Sequence, residues 1–124
     1  MSVLFHFTCT HGKKDIGTGS RALLIPHLHP LLGIKVLWLT DLAEPMPYDV
    51  GLTQSYIKCD RREFRYVVEE DAQRCRRWRT SIERASSPSR VVHDLESYGQ
   101  PDTWWISDVA LLARYDRTYQ KRAA

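Results

Sequence analysis

Residues 3–12 alternate in character with a period of two, which only an extended strand can use. Val3, Phe5, Phe7 and Cys9 fall on one side of such a strand, and Leu4, His6, Thr8 and Thr10 on the other. The first side is apolar throughout and is expected to face a core. The second carries a histidine and two hydroxyls in line, groups that cost free energy to bury unless they meet partners or line a cleft. The stretch is therefore either a strand with one solvated side or the floor of a ligand site built on His6 and Thr8.

The same period marks further strands. At 34–40, Leu37 and Leu39 alternate with Trp38 and Thr40, and at 63–68, Phe64, Tyr66 and Val68 alternate with Arg65 and Val67. Residues 22–25, stopped by Pro26, and residues 103–107 read as shorter strands, and 56–59 and 90–95 as two more. Pro45 and Pro47 keep 44–48 out of regular pairing, and Gly17 and Gly19 limit any helix at 13–17 to one or two turns.

One longer helix is expected at 71–85. Ala72, Cys75, Trp78, Ile82 and Ala85 recur there at intervals of three and four, Asp71 is a suitable cap, and Glu69 and Glu70 suit the positive end of the dipole. Arg74, Arg76, Arg77 and Arg84 lie mainly off that stripe, either as a solvated face or as a surface for phosphate or an acidic partner. Residues 108–119 are ambiguous, with Val109, Leu112 and Tyr115 at helical spacing. Strands with short helices between them give the α+β class. The expected architecture is one compact domain over 1–120, with mixed or antiparallel sheets, and a frayed tail at 121–124.

Composition narrows the function. The 124 residues suit one domain, and 43% apolar content suffices for a core. No apolar run approaches the ~18 residues that cross a bilayer. No basic segment followed by a long apolar stretch opens the chain, and Cys9, Cys59 and Cys75 are odd in number and widely spaced. A reducing cytoplasm is therefore the expected setting, without a membrane. The net charge of +3 is mild and the arginines gather between Arg61 and Arg90, which fits a local phosphate patch better than a domain-wide nucleic-acid field. Gly17 and Gly19 lack the third glycine of a phosphate loop, and no serine stands in a nucleophile elbow. Cys9, His11, His27 and His29 have the spacing of two potential ligand pairs for zinc, although Cys9 shares its strand face with Phe5 and Phe7.

The His6-Phe7-Thr8 strand, the glycine-containing turn after it and the Val36-Leu37-Trp38-Leu39-Thr40-Asp41 strand resemble the N-terminal part of small bacterial and phage ADP-ribosyltransferase-fold proteins. The resemblance covers roughly the first 40 residues. It implies an ADP-ribosyltransferase-like fold and NAD as cosubstrate, with a protein or nucleic-acid target, in a toxin, defence factor or phage-encoded modifier. It also implies that His6 and Thr8 contact NAD, that a mid-chain tyrosine stacks on nicotinamide, and that a late acid steadies the oxocarbenium ion. Tyr48, Tyr56 and Tyr66 are all placed to be that tyrosine, and Tyr56 is the expected one. No glutamate lies in 103–107, a departure from the pattern, and of Glu96, Asp102 and Asp108 the expected acid is Asp102.

The catalytic set is then His6, Tyr56 and Asp102, and the NAD-binding set His6, Thr8, Arg21, Trp38 and Thr40. Chemistry supports these types: a carboxylate stabilises a cationic sugar, hydroxyl and imidazole groups bond ribose, aromatics stack, and arginine pairs with pyrophosphate. For Trp38, Trp78, Trp104 and Trp105 core packing is the simpler expectation. Two alternatives stand beside this reading. One is a non-enzymatic interaction module using the arginine-rich helix at 71–85. The other is an NAD-dependent RNA 2′-phosphotransferase-like protein using Arg61, Arg62 and His93.

Overall fold

Strand β1 (Leu4–Thr8) lies fourth in a row of seven and is bonded on both sides, to β5 (Phe64–Val68) and to β4 (Lys35–Thr40). The computed structural model describes residues 3–8, 21–44, 64–97 and 99–118, with side chains up to 116. Beyond β5 come β8 (Leu111–Thr118) and the edge strand β2 (Arg21–Leu24). Beyond β4 come β7 (Trp104–Ser107) and the two-residue β6 (Arg76–Arg77), while β3 (His27–Leu28) pairs with the start of β4. Each of these pairings is antiparallel, so the described strands form a single eight-stranded antiparallel sheet. With two short helices, α1 (Ile82–Ser86) and α2 (Ser89–Glu96), this is a small α+β domain. Among the described residues no helix is long and apolar enough to cross a membrane.

Apolar groups are buried on both faces of the sheet. One core holds Leu4, Leu24, Leu39, Tyr66, Val68 and Leu111, among others. The other gathers Val36, Trp104 and Ile106 around Trp78, covered by Leu32 and by Val92 of α2. Alternation within the strands assigns each side chain: Leu37 and Leu39 join the first core, whereas Trp38 packs against the second. Strands therefore stand at the expected stretches 22–25, 34–40, 63–68 and 103–107, and the alternation read at 34–40 and 63–68 holds.

Three expectations are corrected. The first concerns β1. Leu4 is fully buried in the first core and Thr8 is 5% exposed, while Val3 is 41% exposed. The side carrying His6 and Thr8 faces a core because β5 sets Val68, Tyr66 and Phe64 opposite Leu4, His6 and Thr8. Phe7 is also buried, on the other side, as suits a central strand.

The second concerns 71–85, which form no continuous helix. Glu70–Arg74 makes a 3-10 turn, Arg76–Arg77 adds to the sheet edge, and only Ile82–Ser86 is α-helical. Trp78 is the cause: it is wholly buried in the second core, and its backbone N–H bonds to the Trp104 carbonyl at 3.0 Å. Burying a whole indole outweighs the modest propensity of a solvated arginine-rich helix. Ile82, on the same expected stripe, is 73% exposed. Ser81 then caps α1, its hydroxyl accepting the Arg84 N–H at 3.1 Å.

Third, 90–95 is helical within α2. Val92 is buried and Val91 and Leu95 are half-buried against the second core, a spacing of one, three and four that serves a helix despite the two β-branched residues. The stretch at 108–119, ambiguous in the sequence, contains the strand 111–118, in which Leu111 and Ala113 are buried and Leu112 and Arg114 are exposed. A bulge beside Arg65 and Tyr66 admits Asp116 to the face of Arg65, where the two form an ion pair. The expected elements at 13–17, 45–48 and 56–59, and the tail at 121–124, lie outside the described residues.

The helical pair is held to the second core by one carboxylate. Glu96, with 11% of its side chain exposed, accepts hydrogen bonds from Trp78 Nε1 at 2.7 Å and from Arg84 Nε and Nη2 at 2.8 and 3.0 Å. The Arg84 hydrogen bond holds the Glu96 carboxyl below its usual value of 4.5, with the Trp78 bond adding to the effect against desolvation. A depressed carboxylate contributes stability that is complete above the unfolded value and is lost as pH falls through the folded one.

Two outcomes are expected. Trp78→Ala should lower unfolding free energy by about 3–5 kcal/mol, whereas Ile82→Ala should change it by no more than about 0.5 kcal/mol, both read from chemical denaturation. Glu96→Gln should melt below the parent chain at neutral pH, by an equivalent of about 1–3 kcal/mol. The two melting curves should converge as pH falls from about 5 towards 3.

Candidate ligand site on the His6 face

A transverse row of side chains crosses the sheet on the face of the first core. Register aligns Tyr115 of β8 with Tyr66 of β5, and Tyr66 with His6 of β1. The Phe5–Thr40 pair sets His6 beside Leu39, which faces Trp105 of β7, which in turn faces Arg77 of β6. Adjacent members touch where their chemistry allows. The Tyr66 and Tyr115 rings meet at 5.8 Å and 69°, and the Arg77 guanidinium lies 4.6 Å from the Trp105 ring centre.

His6 stands near the middle, half-buried, with Nδ1 2.8 Å from the Trp38 carbonyl oxygen. A carbonyl only accepts, so Nδ1 carries the proton, and in the neutral ring Nε2 is the acceptor. The pairing of β1 with β4 supplies that carbonyl, so the tautomer is set by the sheet itself.

A carboxylate lies two residues from Leu39 along the same face. Asp41 accepts from Trp105 Nε1 at 3.2 Å, and its own backbone N–H bonds to the Thr103 carbonyl at 3.1 Å, which extends the β4–β7 ladder. Burial raises the Tyr66 phenol above its usual value, and Tyr115 adds to the shift. Cys75 packs beside this core, its thiol pushed up to about 11 by burial and by Asp71, against the opposing pull of Arg76. A thiol so shifted is a poor nucleophile at neutral pH.

The residues expected to bind or act are divided by this arrangement. Thr8 shares the face of His6 and lies opposite Phe64. Trp38 and Thr40 take the opposite face, where Trp38 packs on Trp78 at 5.0 Å, Trp104 at 5.8 Å and His29 at 6.2 Å. The Thr40 hydroxyl accepts the Leu42 N–H at 3.1 Å and closes a turn. Arg21 is exposed at the start of β2 and alternates away from the His6 side, since its neighbour Ala22 joins the first core. Asp102 is 83% exposed and pairs with Arg79 at 3.3 Å, while its carbonyl accepts from Arg77 at 3.1 Å. Tyr48, Tyr56, Arg61 and Arg62 lie outside the described residues, and of the three candidate tyrosines Tyr66 is the one directly opposite His6.

The remaining expectations also have places. His29 Nδ1 accepts the N–H groups of Leu31 and Leu32 at 3.3 and 3.2 Å, so in its neutral form Nε2 carries the proton, and burial lowers its pKa. Cys9 and His11 lie outside the described residues, among which no three His, Cys, Asp or Glu side chains gather as for a metal. His93 is 84% exposed beside Asp94. Of the arginines expected as a solvated face or a binding surface, Arg76 pairs with Glu83 and Asp108, Arg84 with Glu96 and Arg74 with Asp71, while Arg77 lies exposed over the Trp105 ring.

Asp41, Trp105, Arg77 and Tyr115 gather on this face although the sequence placed none of them at the ligand site. Asp41 follows the strand at 34–40 at an even step from Leu37 and Leu39, which was the available signal. Comparison with protein-family models, with curated proteins and with solved structures gives no match for the chain.

A long-range nitrogen–proton correlation spectrum, taken at a pH where the His6 ring is neutral, should show the proton on Nδ1. An Nε2-protonated ring would contradict the bond to the Trp38 carbonyl.

Proposed function

We propose that the chain binds NAD over the His6 face and breaks its nicotinamide bond, passing ADP-ribose to a macromolecule or to water. The observation that carries this reading is His6 itself, oriented by the Trp38 carbonyl within a row of ring side chains. Its Nε2 is chemically an acceptor for a ribose hydroxyl. Tyr115, half-buried and set edge-on to Tyr66, offers ring surface for nicotinamide. Asp41 takes the part of the acid in this reading, in place of Asp102, because it lies on the side of His6 and is oriented by the Trp105 indole.

The chemistry needs little more. The glycosidic C–N bond breaks, nicotinamide leaves with the electron pair, and the sugar becomes an oxocarbenium ion. A hydroxyl of water or target then bonds to that carbon and gives up its proton. The carboxylate stabilises the cation electrostatically, and the hydrogen bonds to ribose hold it in place. The reading includes an ADP-ribosyltransferase-like fold and an intracellular setting, where NAD is found.

Incubation of the purified chain with nicotinamide-labelled NAD tests it. Saturable binding and release of free nicotinamide are expected. His6→Ala should weaken binding at least tenfold, about 1.4 kcal/mol, and Asp41→Asn should slow release more than it weakens binding. Neither binding nor release by the folded parent chain would overturn the reading.

A further inference from the structure

The connection from β3 to β4 is one hydrogen-bonded turn that begins on a histidine. Pro30, which has no N–H to leave unmet, follows His29, and Gly33 closes the turn with a positive φ of 71°. The Gly33 N–H bonds to the His29 carbonyl at 2.8 Å, and the His29 N–H bonds to the Ile34 carbonyl at 2.8 Å. The N–H groups of Leu31 and Leu32, which a turn of this kind leaves over, both point at His29 Nδ1, at 3.3 and 3.2 Å. The imidazole thus does what an asparagine or serine oxygen does at the start of a helix. It differs in one respect: this acceptor exists only in the neutral ring. A proton on Nδ1 would set a third N–H against two others, and would place a cation where the first N–H groups of the turn are already positive.

The turn lies over the second core. Leu32 is only 8% exposed there, and Ile34 packs half-buried against the same cluster. The His29 ring stands edge-on to Trp38, which packs on Trp78 and Trp104. Trp38 Nε1 is buried with no hydrogen-bond partner among the described residues, so admitting water would give it a bond that burial withholds.

We propose that the turn at 29–33 is an acid-released latch over the second core, closed while His29 is neutral and opened when its ring takes up a proton. The direction follows from burial, which lowers the His29 pKa from 6.5. The closed turn therefore rejects the proton, and its hold is complete above 6.5 and is lost as pH falls through the lowered value. The titratable groups on the surrounding elements are His27 on its own strand and Lys35 on β4, both exposed, and His93 and Asp94 of α2, also exposed. Glu96 of α2 stands behind Trp78, bonded to that indole and to Arg84, and keeps its charge in this range because its pKa is held below 4.5. His6 bonds the Trp38 carbonyl from the other face of the sheet. Among the described residues none of these side chains is bonded to the His29 ring, so the two backbone N–H groups decide its protonation. The latch needs nothing from the reading of the His6 face.

Amide, indole and imidazole signals of the full chain, followed from about pH 8 to about pH 5, test it. The Leu31, Leu32 and Gly33 amides and the Trp38 indole N–H are expected to shift together with the His29 ring, at one midpoint below 6.5. Protection of the Leu32 and Gly33 amides, taken relative to the unstructured rate at each pH, should fall about tenfold across that midpoint. The amides of β1 and β5 should keep theirs. His29→Asn, whose side-chain oxygen accepts the same N–H groups at every pH, should hold the turn closed and abolish the response. His29→Ala should leave Leu32 and Gly33 poorly protected already at about pH 8, and His27→Asn, the control, should leave the response as it is in the parent chain. A response that survives His29→Asn, a His29 ring that titrates while Leu32 keeps its protection, or a loss of protection shared by β1 and β5 would overturn the proposal.

Discussion

The pairing of β1 between β4 and β5 is the constraint on which the rest depends. It joins the first described strand to two later segments of the chain, and it bonds both edges of a five-residue element at once. Leu4 closes one core, and Phe7 is buried on the other side. The same pairing brings the Trp38 carbonyl to His6 Nδ1. One ladder of backbone hydrogen bonds therefore builds the core and orients the histidine. A substitution that loosens β4 would disturb the imidazole as well as the packing.

The second face works by a different logic. There an indole, a carboxylate and a guanidinium hold two short helices that would be too short to persist alone. Trp78 supplies apolar area, and Glu96 satisfies its N–H while pairing with Arg84. These groups are only partly shielded, so their bonds to one another matter more than bare charge attraction. Arg76 and Arg84 of this segment are thus fastened to carboxylates of the same domain.

Much of the sheet was legible in the sequence because a period of two survives any neighbour. The strands at 34–40 and 63–68 carry it plainly, and their face assignments hold. What the sequence could not supply was which of two faces would meet the larger core. Val3, Phe5 and Phe7 looked the stronger set, yet β5 and β4 offered Tyr66, Val68, Leu37 and Leu39 to the side of Leu4 and His6. The stripe at 71–85 misled for a related reason, since one tryptophan claimed by the second core outweighed the four other well-spaced helical positions. Val91 and Val92 favoured a strand by residue type, while their spacing from Leu95 served a helix. In the candidate site His6 and Thr8 were legible together, but Asp41 and Trp105 join them only through cross-strand register, which no local pattern encodes.

The placement of β2 has a consequence for how the molecule comes into being. Its partner is β8, so the ladder that completes this side of the sheet joins positions 21 and 114. Most of the chain must exist before that ladder can form. Loop closure over such separations is slow compared with the growth of local hairpins. During synthesis Leu24 must therefore wait for its strand partner until Leu111 and Ala113 have left the ribosome. An N-terminal fragment is a sheet without its closing strand.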